Sequence, residues 1–304
     1  MAVTLVEASK NHKGDVLRAA TIEMFAKQSD ILAAFSFENI AGGVLRYDRE
    51  GALPGVAFRG VNESYTESTG VVNPLTDGTY IIGGDVDVDK YILATRGQGQ
   101  KAVQVGMKLK SIADTFAQKL IKGDNTSDPR EFDGLQSRLT GAQLIANSGS
   151  SGGAALSMAK LDEAIDATDS PTALIMSKTM RRNIRTYLRT VGSIQESKDD
   201  FGRPLMMYGD LPILTTNNGS TEALPYTEAN SGGGSAVGGS IYVVSLGANR
   251  LQGIQNGDMQ VRDLGEVDDA PVERVRIEWF AGIALMHGRA ATRLYSITNA
   301  TAVA

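Results

Sequence analysis

The stretch GVLRYDREGALPGVAFRGVNESYTESTGVVNPLTDGTY (residues 43–80) governs how the rest of the chain is read. It mixes glycine, proline, threonine and charged residues with few large apolar ones, so it cannot bury itself. Segments of this length without a core are uncommon inside compact domains, and they are usually functional or disordered. The alternating runs Val44-Leu45-Arg46-Tyr47 and Val56-Ala57-Phe58-Arg59 predict a protruding two-stranded finger. An isolated two-stranded hairpin is only marginally stable in water, so such a finger needs a surface supplied by another chain. A disordered linker is the alternative that composition leaves open.

Ahead of this stretch, Leu5 to Phe37 is helix-friendly but interrupted by Gly14 and Ser29-Asp30, which suggests an arm rather than a core element. After it, YIIGGDVDVDKYIL (residues 80–93) reads as a strand with Val86 and Val88 on one face and Asp85, Asp87 and Asp89 on the other. From Gln100 to Lys122 a helix follows, with Val105, Leu109, Ile112, Phe116 and Leu120 at steps of three and four and Gly123 as its stop. At 1.5 Å per residue it is a rod of about 35 Å. Lys101, Lys108, Lys119 and Lys122 fall within roughly 60° of one another on its other side at about 100° per residue, a basic stripe suited to phosphates. A solvated face that happens to use lysine explains the same pattern.

The middle of the chain alternates helical runs (Leu156 to Thr168, Ser177 to Thr190) with strand-like ones (Ala173 to Met176, Leu211 to Thr215, Ile241 to Leu246). Glycine-serine loops at Ser148 to Gly153 and Ser231 to Ser240 punctuate them, which predicts one α+β lobe. Near the end, Val275, Ile277 and Trp279 alternate with Arg274, Arg276 and Glu278 before the apolar run FAGIALM. This strand is expected to pair with the one at 80–93 in a second lobe.

Composition excludes several function classes. The longest apolar stretch, Phe280 to Met286, is far short of the ~20 residues needed to span a bilayer, and Glu7 interrupts any signal-peptide core. Folding in a cytoplasm without membrane contact is the expectation. With 0 cysteines, disulfides and thiolate chemistry are ruled out, and His12 and His287 alone supply imidazole. A net charge of −5 argues against a freely acting nucleic-acid binder.

Chemical motifs are weak. Gly149-Ser150-Ser151-Gly152-Gly153 matches G-x-S-x-G, and His287 follows in hydrolase order, but NSGSSGGA is low-complexity sequence rather than a strained strand-to-helix turn. Asp85, Asp87 and Asp89 open like a calcium loop, yet Lys90 and Arg96 occupy the glycine and glutamate positions. The three carboxylates then suit an ion, the arginines of a neighbour or a solvated edge. Gly97-Gln98-Gly99 lacks the third glycine of a dinucleotide loop. Neither a catalytic residue, a metal site nor a cofactor is expected.

The order of arm, polar finger, acidic strand, long helix, α+β lobe and returning strand resembles the tailed-phage major capsid proteins of the Hong Kong 97 type. RYDREGALPGVAFRGVNESYTESTG (residues 46–70) is similar to the family's extended E-loop, and GDVDVDKYIL with the following helix to its P-domain strand and spine helix. KGDNTSDPREFDGLQSRL (residues 122–139) resembles the passage into the A-domain. YGDLPIL (residues 208–214) and residues 253–285 fit its sheet and the return.

The resemblance implies an α+β fold with an arm (residues 1–42), an E-loop (43–80), a P-domain (81–135, spine helix about 100–122), an A-domain (136–257) and a return to the P-domain (258–304). It implies a structural subunit of hexamers and pentamers that close into an icosahedral shell around double-stranded DNA. That shell forms in a bacterial cytoplasm and becomes part of the virion. A portal and possible decoration protein come with this reading, and because the sequence starts at the arm, so does a separate scaffolding protein. Arg46, Arg49, Arg59, Glu63 and Glu67 are expected to form intersubunit ion pairs, and the lysine stripe is expected to face DNA. The family's lysine-to-asparagine cross-link is not expected, because no lysine lies between Lys27 and Lys90 although Asn62 is available. The alternatives are an encapsulin-like compartment and, remotely, a serine hydrolase.

Overall fold

The computed structural model describes residues 3–4, 29–97, 99–150, 152–192, 195–198, 204–216, 222–229, 237–268 and 270–304. Most of the expected arm therefore lies outside the described residues.

Strand β15 (Ala270–Leu285) organises the first sheet. Its alternation of Val275, Ile277 and Trp279 with charged residues gives it one buried face. Along one edge it pairs antiparallel with β5 (Tyr80–Asp89), in a register running from Val272 opposite Asp89 to Ala281 opposite Tyr80. Along the other edge it pairs first with β14 (Gln260–Val267) and then with β13 (Leu251–Gln255). Beyond β13 lie β2 (Ser36–Asn39), in parallel, and β1 (Val3–Thr4). The expected pairing of residues 80–93 with the final strand is thus observed.

Helix α3 (Gly99–Lys122) lies across the buried face, preceded by α1 (Asp30–Ala34) and α2 (Lys90–Arg96) in the chain. Its stripe of Leu109, Ile112, Phe116 and Leu120 is buried, and Phe116 and Phe37 pack against Trp279 with centroids 5.0 and 5.1 Å away. Trp279 is 1% exposed, and its indole N–H is satisfied by Gln255 Oε1 at 3.1 Å. The helix stops at Gly123 because the chain folds back tightly: an added Cβ would sit 2.2 Å from the carbonyl oxygen of Phe132. Asp89 caps α2 by accepting from the Tyr91 N–H at 2.7 Å, so it serves the helix and not an acidic row.

The second sheet runs β6 (Leu144–Ala146), β16 (Ala291–Ile297), β12 (Val237–Val244), β7 (Ala173–Met176), β10 (Leu211–Thr215), β9 (Pro204–Tyr208) and β8 (Gln195–Lys198). A short β11 (Glu228–Ala229) pairs with the start of β12. After α4 (Leu135–Arg138), α5 (Met158–Ala167) and α6 (Lys178–Val191), with β7 between them in the chain, pack on one face of this sheet. There Leu161, Met180, Ile184 and Leu188 meet Leu174, Met176, Ile213 and Val243, while Ile175, Tyr242 and Val244 point into the first core. Burial on both faces is why ALIM and IYVV read as continuous apolar runs.

Three expectations are corrected. The return to the P-domain does not hold for the end of the chain, because β16 joins the second sheet, where Leu294 and Ile297 share the core of α5 and α6. Conversely β13, allotted to the α+β lobe, belongs to the first sheet. The glycine-serine loop expected up to Ser240 ends earlier, since Gly238, Gly239 and Ser240 are buried in β12 and the Ser240 hydroxyl donates to Glu228.

Trp279→Ala removes the side chain on which helix and sheet meet. It is expected to destabilise the chain by about 3–5 kcal/mol in urea unfolding. A loss below about 1 kcal/mol, the scale of a surface change, contradicts this core.

Candidate functional site

The finger is built from β3 (Val44–Ala52) and β4 (Val71–Gly78), paired antiparallel from Val44 opposite Gly78 to Glu50 opposite Val72. The partner strand is therefore residues 71–78 and not Val56 to Arg59, which lie in a connection (53–70) without strands. Pro54 with Gly51, Gly55, Gly60 and Gly70 breaks any ladder there. Leu53, Val56, Phe58 and Val61 are 79%, 97%, 107% and 93% exposed, and Tyr65 is 65% exposed. No described residue of the same chain covers them.

The tip is held locally. Asn62 sits at φ 67°, the Glu63 carboxylate accepts from the Gly60 N–H at 2.7 Å, and Arg59 donates to the Glu63 carbonyl at 3.0 Å. Arg59 also lies 5.3 Å from the centre of the Tyr65 ring, and Ser68 ties back to the Gly55 carbonyl at 2.8 Å. Arg59 and Glu63, expected to serve intersubunit pairs, thus have intrachain work. Arg46 and Glu67 are exposed, Arg49 is half-buried, and none of the three forms an ion pair among the described residues.

The base of the finger is fixed by a contact that sequence reasoning missed. Asp77, 8% exposed, pairs with Arg138 of α4 at 2.7 Å, and the Tyr47 hydroxyl lies 2.8 Å from the same carboxylate and 3.1 Å from the Leu285 carbonyl. Arg138 also donates to the Asp133 carbonyl at 2.8 Å. Burial, reinforced by the Asp77 charge, pushes the Tyr47 hydroxyl well above its ordinary pKa, so it stays protonated.

The lysines of α3 do not form an open stripe. Lys101 is clamped by Asp263 at 2.6 Å and Glu273 at 2.9 Å, and Lys119 pairs with Glu131 at 2.5 Å. Lys108 lies over Gly84, where an added Cβ would be 2.6 Å from its Nζ, and Lys122 is half-buried. The solvated side of α3 carries Val103, Met107, Lys110 and Ser111 instead. The reason is packing: carboxylates of β14 and β15 reach over the flank where helical angles alone place an open basic row.

Nor do Asp85 and Asp87 wait for a metal or a neighbour. Arg276 grips Asp85 at 2.7 and 2.9 Å and Arg274 grips Asp87 at 2.7 and 2.7 Å, both in bidentate fashion across the β5–β15 register. These guanidinium hydrogen bonds hold both carboxyls below their usual range. His287 Nδ1 accepts from the Arg289 N–H at 3.2 Å, while Ser151 lies outside the described residues.

Comparison with solved structures places this arrangement. The chain matches the holo-SrpI encapsulin complex of Synechococcus elongatus PCC 7942 at TM-score 0.66 and 13% identity, over 90% of this chain and 89% of that one. It matches the capsid of a native GTA particle at TM-score 0.63 and 13% identity, over 89% and 91% of the two chains. Mycobacterium phage Bobi gives TM-score 0.62 and 14% identity, over 91% of each chain. Residues 12–158, just under half of the sequence, match the family model described as Major capsid protein GP7.

The chain has the fold of the Hong Kong 97-type capsid proteins. No curated protein sequence matches it significantly. The family and structural matches are to shell proteins rather than to enzymes.

Two outcomes are expected of these fixed contacts. Asp77→Ala leaves Arg138 buried without its partner and is expected to cost about 3–5 kcal/mol in urea unfolding; a loss below 1 kcal/mol contradicts a clamped finger base. The ladder of Asp85 and Asp87 has lowered folded pKa values, so its contribution is full above the unfolded carboxylate value of about 3.9 and is lost as pH falls through the lower folded one. The stability gap between wild type and Asp85→Asn/Asp87→Asn should therefore hold constant from neutral pH down to about 4 and narrow below it. A gap unchanged at the acid limit refutes this.

Proposed function

We propose that this capsid protein assembles into hexamers and pentamers that close an icosahedral shell around double-stranded DNA. The finger of each copy lies across its neighbour. The observation that carries this reading is the row of Leu53, Val56, Phe58 and Val61, largely or wholly exposed in the strandless tip of the finger. Covering four such side chains contributes roughly 6–12 kcal/mol before ordering costs, the scale of a specific interface. Arg46, Arg49 and Glu67, unpaired among the described residues, then set the register of that contact more than its strength. A separate scaffolding protein and a portal are the partners such a shell takes, with assembly in the bacterial cytoplasm.

An encapsulin-like compartment is favoured by one observation, the similarity to SrpI encapsulin. The contents of purified shells distinguish the two: nucleic acid for the phage reading, a cargo enzyme for the other.

Replacing residues 53–70 by a short glycine-serine link tests the shared claim. The shortened chain is expected to keep its circular dichroism and unfolding transition yet form no closed shells by electron microscopy. Shells formed at wild-type yield contradict the proposal.

A further inference from the structure

Helix α6 contains no acidic residue, and its sequence KTMRRNIRTYLRTV places Lys178, Arg182, Arg185 and Arg189 away from the buried Met180 and Ile184, with Arg181 at the margin beside Leu188. These cations and Thr186 line a shallow open hollow of about 190 Å³ on the outer side of α6. Arg185 has a partner of its own. Lys178, Arg181, Arg182 and Arg189 form no ion pair among the described residues. Like charges three and four residues apart oppose helix formation, and cations in the first turn oppose the helix dipole. A face that tolerates both is poised for an anion.

The occupant is indicated by what the rest of the surface lacks. The described carboxylates are mostly engaged already, as with Asp263 and Glu273 on Lys101, Asp85 on Arg276 and Glu163 on Lys160. The exposed Asp48, Glu50 and Glu67 of the finger are the exception, three carboxylates against the denser row of phosphates that a duplex offers. Duplex nucleic acid carries one charge per about 1.7 Å of axis, or about ten phosphates along the roughly 16 Å from Lys178 to Arg189. Guanidinium forks suit phosphate oxygens, and nothing at this face is built to read bases.

We propose that the exposed face of α6 binds the phosphate backbone of double-stranded nucleic acid without sequence preference, taking the role first ascribed to the lysines of α3. The proposal rests on the reading of a shell that encloses DNA.

The test uses the full chain as unassembled subunits and a labelled random-sequence DNA duplex, followed by fluorescence anisotropy over a salt series. Combining Arg181→Gln, Arg182→Gln and Arg189→Gln is expected to weaken binding at least about tenfold at low salt and to flatten the salt slope by about 3. The corresponding Arg→Lys triple variant should keep the slope, and Lys108→Gln with Lys122→Gln should leave binding unchanged. An unaltered slope in the glutamine variant overturns the proposal. So does polyglutamate bound as tightly as the duplex, which makes the face a protein-docking site. Electron microscopy of the same preparations judges the shell reading separately, because shells that form while DNA binding is unaffected by the glutamines remove only the role of α6.

Discussion

A two-stranded ribbon has one ladder of hydrogen bonds and no interior, so any apolar side chain it carries must be covered from outside. Val56, Phe58 and Val61 sit in the strandless connection at the tip of such a ribbon, and no described residue of the same chain covers them. An isolated monomer would keep that surface in water. The rest of the structure follows from holding the ribbon out in a fixed direction.

Rigidity at the base makes this workable. Asp77, Arg138 and Tyr47 join the ribbon to α4 and to the end of β15, in a place where water is nearly excluded. That strand is itself locked by β5 on one edge, by β14 and β13 on the other, and by Trp279 against α3. The direction of the ribbon is therefore transmitted to a sheet and helix that share one core. A second buried pair, Arg293 with Glu228 at 3.0 Å, ties β16 to β11 in the second sheet. Its cost of desolvation argues for a role in fixing geometry more than in raising stability.

Much of the architecture was legible in the sequence because period alone encodes it. The alternation of Val86 and Val88 with aspartates and the three-and-four spacing of Leu109, Ile112 and Phe116 each specify one face. What stayed hidden depends on contacts between distant residues. Arg274 and Arg276 meet Asp87 and Asp85 only in one register of β15 on β5. The lysines of α3 looked open because helical angles say nothing about the carboxylates of β14 and β15 lying beside them. β16 was misassigned because a buried strand reads the same in either sheet. In the finger, the alternation of Val56 and Phe58 imitated a strand that the surrounding glycines and Pro54 do not allow.

Hydrogen–deuterium exchange of residues 53–70, measured in unassembled subunits and in closed particles, bears most directly on this account. Covering by a neighbouring copy predicts rapid exchange in the free subunit and strong protection after closure, while the buried strand β15 exchanges slowly in both. Equal, rapid exchange of 53–70 in the two states would mean that the ribbon gains nothing from its neighbours.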